Sequence, residues 1–97
     1  MTKMTVLGWQ EVPSVVEAKD ENGKHKVELS LKFQELIDLV AMRRGLAGTD
    51  SYLMEWTKTP YPERDESAEA AAEALAAEIE SRYEEIKTEA LAKSSSD

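Results

Sequence analysis

The sequence predicts an α+β fold: a small antiparallel sheet of about three strands packed by one helix, then a short helix and a long acidic C-terminal helix. Three observations carry this. Alternating apolar and polar residues flank Asn22-Gly23, a pair suited to a tight hairpin turn. Phe33, Leu36, Ile37, Val40 and Ala41 recur at the three- and four-residue spacing of a helix face. Residues 68–93 hold nine alanines and no glycine or proline, a run of strong helix formers.

Each element follows from its residues. Residues 4–9 are rich in strand formers, and both alternating sets, Met4/Val6 and Thr5/Leu7/Trp9, contain apolar side chains, so this strand is expected to be covered on both faces. Pro13 interrupts it. A second strand over 14–19 and a third over 25–29 form the hairpin, with positive φ supplied by Asn22 and Gly23. In the third strand Val27 and Leu29 face one way and Lys26 and Glu28 the other, giving one buried and one wet side. Ser30 suits an N-cap for a helix over 31–45, with Arg43 and Arg44 in its last turn, where the helix dipole favours cations, and Gly45 as a left-handed cap. Thr49 or Asp50 can cap a short helix over 50–58 carrying Tyr52, Leu53 and Trp56.

The two prolines of Thr59-Pro60-Tyr61-Pro62 remove backbone donors and disfavour helix before them. The chain is therefore divided into an α+β head over 1–59, a proline-containing linker over 60–66, an acidic helix over 67–93 and a frayed tail over 94–97. Asp65 and Ser67 offer caps for the long helix, whose narrow apolar stripe runs Ala68, Ala72, Leu75, Ile79, Tyr83, Ile86, Ala90. At about 1.5 Å per residue it would reach roughly 39 Å, more than a compact domain of this size is wide, so part of it should protrude or meet a partner. Its central part, about 72–86, is expected to lie on the head. The predicted core is Leu7, Val16, Val27, Leu29, Phe33, Leu36, Ile37, Val40, Leu53 and Leu75.

Charge is divided the same way. Residues 1–59 carry eight basic and nine acidic side chains, residues 60–97 four and eleven, within a net −8 over 97 residues. A surface of that sign repels phosphate backbones, which argues against nucleic-acid binding. No cysteine is present, which removes disulfides, thiolate metal sites and a cysteine nucleophile. No apolar run approaches the roughly 20 residues that span a bilayer, so no membrane partner is expected and a cytoplasmic location is the default.

No constellation of catalytic residues emerges. Glycines 8, 23, 45 and 48 form no phosphate-cradling loop, no serine lies in a nucleophile elbow, and the acidic helix lacks the Glu-x-x-His motif of carboxylate metal bundles. His25, alone between Lys24 and Lys26, reads as a solvent-facing hairpin residue rather than a ligand. Asp38 and Asp50 read as a helix surface residue and a cap rather than as paired glycosidase acids. No metal and no cofactor is implied. Arg43 and Arg44 suit an anion or a partner's carboxylate, set against a bland role as cations ending a helix. Trp9, Tyr52 and Trp56 are the aromatic candidates for an interface, with the core as the competing place for Trp9 and a half-exposed position for Trp56.

The order Trp9, Val12-Pro13, Lys26-Val27, Leu29-Ser30, Phe33, Ile37-Asp38, Ala41-Met42, Gly45, Gly48-Thr49-Asp50, Tyr52-Leu53 and Trp56 resembles the small bacterial and archaeal domain family named simply virulence factor. The similarity covers roughly residues 4–57 and thins along the C-terminal helix. In that family an Arg-Asp pair usually follows the first tryptophan, where this chain has Gln10-Glu11. Relatives occur alone or joined to helical-repeat and NifU-like regions, so the resemblance implies an accessory domain working beside other proteins. It carries over no catalytic residue.

Two functions follow as expectations. The first is a non-catalytic interaction module that docks on another protein through Trp9, Arg43, Arg44, Asp50, Tyr52 and Trp56. The second is an accessory subunit that completes an enzyme or cofactor-handling complex, with Arg43, Arg44, Asp50 and Tyr52 contributing to a site shared with another chain.

Overall fold

The computed structural model describes residues 1–94. Its elements are β1 (Thr2–Trp9), β2 (Val12–Asp20), β3 (Gly23–Glu28), α1 (Leu31–Arg43), α2 (Asp50–Met54), β4 (Trp56–Arg64), α3 (Ala68–Ser81) and α4 (Tyr83–Ser94). The α+β class holds, with four strands ordered β3-β2-β1-β4 and every neighbouring pair antiparallel.

The fourth strand replaces the expected linker. Pro60 and Pro62 lie in β4, at the sheet edge beside β1, with Pro60 opposite Thr5 and Trp56 opposite Trp9. Proline is excluded from a central strand because it cannot donate to a second ladder, but an edge strand needs only one. The short helix accordingly stops at Met54 instead of running to 58.

Two turns fix the register of the other strands. Gln10 and Glu11 join β1 to β2, with Trp9 opposite Val12 and Gln10 at φ 52°, a left-handed conformation that non-glycine residues seldom adopt. Ser14 is the extra residue of a bulge that lets Gly8 face Pro13. A side chain on Gly8 would bring its Cβ to 2.7 Å from the Val12 carbonyl oxygen, so only glycine fits that approach. In the second hairpin Asp20 pairs with Gly23, which puts Glu21-Asn22 in the loop. Only Gly23, at φ 143°, takes positive φ; Asn22 does not. The Asp20 carboxylate does the work expected of Asn22, accepting from the Asn22 and Gly23 amides at 2.8 and 3.1 Å.

The helices cover one face of the sheet. From β1 and β2 that face presents Met4, Val6, Val16 and Ala18, all buried against Phe33, Leu36, Ile37 and Val40 of α1 and Ala71, Ala72, Leu75 and Ile79 of α3. The alanines of α3 let its backbone approach β1, β2 and β3 closely. The other face is open along Thr5 and Leu7, which are only half buried, so β1 is not covered on both sides over its whole length. Val27 is likewise half buried, and Leu53, placed in the core from its spacing, is 68% exposed.

The long helix breaks at Arg82, whose φ of −102° and ψ of 11° leave helical geometry. The two sides of the break have different partners: α3 lies on the sheet and α4 on α1, burying Ala90 and half burying Tyr83, Ile86 and Leu91. Contact therefore extends past residue 86 to Ala90. The tail beyond 94 lies outside the described residues.

Candidate functional site

The predicted site residues gather around one end of the sheet, where the β1–β2 turn, the end of α1, α2 and the start of β4 meet. Gly45 and Leu46 end α1 in a Schellman motif, their amides donating to the carbonyls of Met42 and Ala41 at 3.1 and 2.8 Å, with Gly45 at φ 72°. This places Arg44 over the β1–β2 turn. Its guanidinium holds the Glu11 carboxylate in a fork, at 3.0 and 2.7 Å, and also donates to the Gln10 side-chain oxygen and, at 3.2 Å, to the Ala90 carbonyl. Burial pushes the Glu11 carboxyl upward, but the hydrogen bonds from Arg44 and the nearby charges of Arg44 and Lys93 outweigh it and hold Glu11 below the usual carboxylate range. Gln10 extends the network to α2, its amide donating to the Glu55 carbonyl at 3.1 Å and its side chain to the Glu55 carboxylate at 3.0 Å.

Beneath this network lies an aromatic stack. Trp9 is fully buried; its indole N–H donates to the Tyr52 carbonyl at 2.8 Å, and its ring lies 5.5 Å from that of Tyr52. Tyr52 in turn meets Trp56 edge-on at 6.2 Å. Thr49 caps α2 by accepting from the Tyr52 amide at 3.3 Å, and Asp50 occupies the first helical position, exposed. The stack anchors α2 from below and leaves Tyr52 and Trp56 half buried.

A family model described as virulence factor matches residues 7–92. The chain belongs to that family. The match runs beyond the residues that carry the resemblance and takes in α3 and α4, so the break at Arg82 and the docking of α4 fall within the virulence factor domain. Gln10 and Glu11 lie in the β1–β2 turn, where they provide partners of Arg44. Among curated proteins and solved structures, no match to the chain was found.

Of the six candidates, Trp9, Tyr52 and Trp56 stand together, and Arg44 reaches the same end through Gln10 and Glu55. Trp9 has no exposed surface with which to touch a partner, and the anion held by Arg44 is the chain's own Glu11. Arg43 and Asp50 are exposed and join neither network. Sequence reasoning overlooked the surface around them: Leu39, Met42, Leu53 and Met54 are 38, 68, 68 and 78% exposed. Leu53 followed the three-residue spacing that usually marks a core stripe, and the methionines stood in no apolar pattern.

A second feature lies where the helices fail to cover β4. A cleft of about 260 Å³ opens between β1, β4 and the α3–α4 junction, lined among others by Gln10, Tyr61, Ile79, Arg82 and Glu89. Its groups supply no paired acid and base. Asp38 accepts from Gln34 at 3.1 Å on the outer face of α1, and His25 lies 3.4 Å from Glu73, both away from the cleft. Among the described residues no group of three His, Cys, Asp or Glu is placed to hold a metal ion, and no helix is long and apolar enough to cross a membrane.

Proposed function

We propose that the chain is a non-catalytic protein-interaction module that docks through α2 and the adjoining end of α1. The supporting observation is the exposure of Met42 at the end of α1 and of Leu53 and Met54 on α2, a short helix tied to β1 and β4 by the Trp9–Tyr52–Trp56 stack. Exposed apolar side chains gathered in one region mark interaction surfaces, and methionine adapts readily to a partner's shape. Trp56 and Arg43 supply the aromatic and cationic groups that interfaces favour.

The test is quantitative affinity purification from the native host of the full chain and of its Leu53→Asp/Met54→Asp variant. Both side chains are solvent-facing, so the variant should keep its melting temperature while the amount of bound partner falls by about tenfold or more. Equal recovery with both proteins defeats the proposal. A stoichiometric enzyme or a chromophore that stays with the variant would favour the accessory-subunit reading, in which Arg43, Arg44, Asp50 and Tyr52 belong to a site shared with another chain.

A further inference from the structure

The open face of the sheet carries a charge pattern opposite to that of the chain. Lys3 pairs with Lys19 across β1 and β2, and Lys19 with Lys24 across β2 and β3, so three lysines form one row over three strands. All three are exposed, and none makes an ion pair with a described residue. Like charges directly opposite on neighbouring strands destabilise a sheet. This sheet holds two such oppositions in succession, although the chain has twenty acidic residues to draw on and a carboxylate at position 19 would convert both to attractions. Beside the row lies a shallow cavity of about 430 Å³, to which Lys58 and the carboxylates Glu17 and Glu63 also contribute. Leu7 and Val15, cross-strand partners and half buried, form an apolar strip on the same face.

We propose that this face binds an acidic, amphipathic segment of another protein, with carboxylates on the Lys3, Lys19 and Lys24 row and apolar side chains over Leu7 and Val15. The proposal concerns the side of the sheet away from the helices and does not rest on the α2 platform. Strand addition is disfavoured at both edges, by Pro60 and Pro62 on β4 and by the lysines of the six-residue β3, which leaves the face itself. Neighbouring strands lie about 4.8 Å apart and successive helical turns about 5.4 Å, so carboxylates one turn apart meet successive lysines. A densely phosphorylated ligand is opposed by Glu17, by Glu63 and by the net −8, and Tyr61 is the one aromatic ring in the cavity's lining, where a strand of successive stacked bases needs several.

The test uses the full chain and a fluorescent 18-residue helical peptide with glutamates one turn apart beside a leucine stripe, its counterpart with glutamine for every glutamate, and an 18-nucleotide oligothymidylate. At low salt the glutamate peptide should bind about tenfold more tightly than the other two. Lys19→Glu should weaken it by about tenfold while raising the Tm by a few degrees, because both cross-strand oppositions become attractions. Lys87→Glu, an equal change of charge on α4, should leave the affinity within about twofold. The proposal is overturned by equal binding of the two peptides, by tighter binding of the oligonucleotide, by unchanged affinity in Lys19→Glu, or by a fall in that variant's Tm.

Discussion

Phe33 is 1% exposed and meets Tyr83 edge-on at 5.1 Å, so it joins α1 to the first turn of α4 as well as to the sheet. Phe33→Ala leaves a void that neighbours on three elements cannot fill together, and the expected cost is about 3–5 kcal/mol. A urea midpoint lowered accordingly, at unchanged slope, is the measurement; an unmoved midpoint would show that Phe33 is not a keystone. Phe33, Leu36, Ile37 and Val40 were legible in the sequence because their spacing is that of a single long helix. Leu53 obeys the same spacing yet lies outside. Its helix lasts five residues, too short for a stripe to specify a buried face, and the chain reverts to strand at Trp56. Arg44 was legible as a helix-ending cation, but its pairing with Glu11 across thirty-three positions was not.

At the scale of elements, both long helices on the core receive a carboxylate from elsewhere in the chain. Ser30 precedes α1 and was recognisable as a cap residue, yet its amide and hydroxyl both donate to Glu80, at 2.7 and 2.8 Å, instead of its hydroxyl accepting from the helix. Ser67 caps α3 by accepting from Ala70, and Asp20 adds its second oxygen to the Ala68 amide at 2.8 Å. One aspartate thus closes the β2–β3 turn and starts α3, a link that local motifs cannot reveal because 48 positions separate its ends. The amides of Ala68 and Asn22, in that order, hold the Asp20 carboxyl below the ordinary aspartate range. A carboxylate depressed in the folded state contributes stability above its unfolded pKa of about 4, and loses it as pH falls through the lower folded value. Asp20→Asn should therefore be less stable than the parent chain near neutrality, with the gap narrowing as pH falls below the unfolded value of about 4. Denaturant melts of the two proteins at pH 7 and pH 2.5 test this, and a gap equal at both values would show that the charge of Asp20 contributes nothing.

Over the whole molecule the open question is whether the head stands alone. Proline placement and the charge shift at residue 60 suggested a boundary there, but a proline is equally at home on a sheet edge, and β4 returns to pair with β1 from Trp9 back to Thr2. Which of the two meanings applied depended on a strand partner more than fifty residues away. We expect the fragment 1–66, which keeps all four strands, to fail to fold. It would lose the cover that Ala68, Ala71, Ala72, Leu75, Ala76 and Ile79 give to the sheet. Each 100 Å² of apolar surface so exposed costs about 2.5 kcal/mol, and a domain of this length has only about 5–15 kcal/mol in total. The fragment 1–87 tests the other end of the same claim. It retains α3 but removes Ala90, fully buried, and with it the carbonyl that accepts from Arg44, so it should fold with a Tm lowered by several degrees. Circular-dichroism melts of both fragments beside the full chain distinguish the cases. If 1–66 melts cooperatively near the temperature of the full chain, the head is self-sufficient and α3 and α4 are a detachable arm; if 1–87 melts unchanged, the docking of α4 onto α1 adds nothing to the fold.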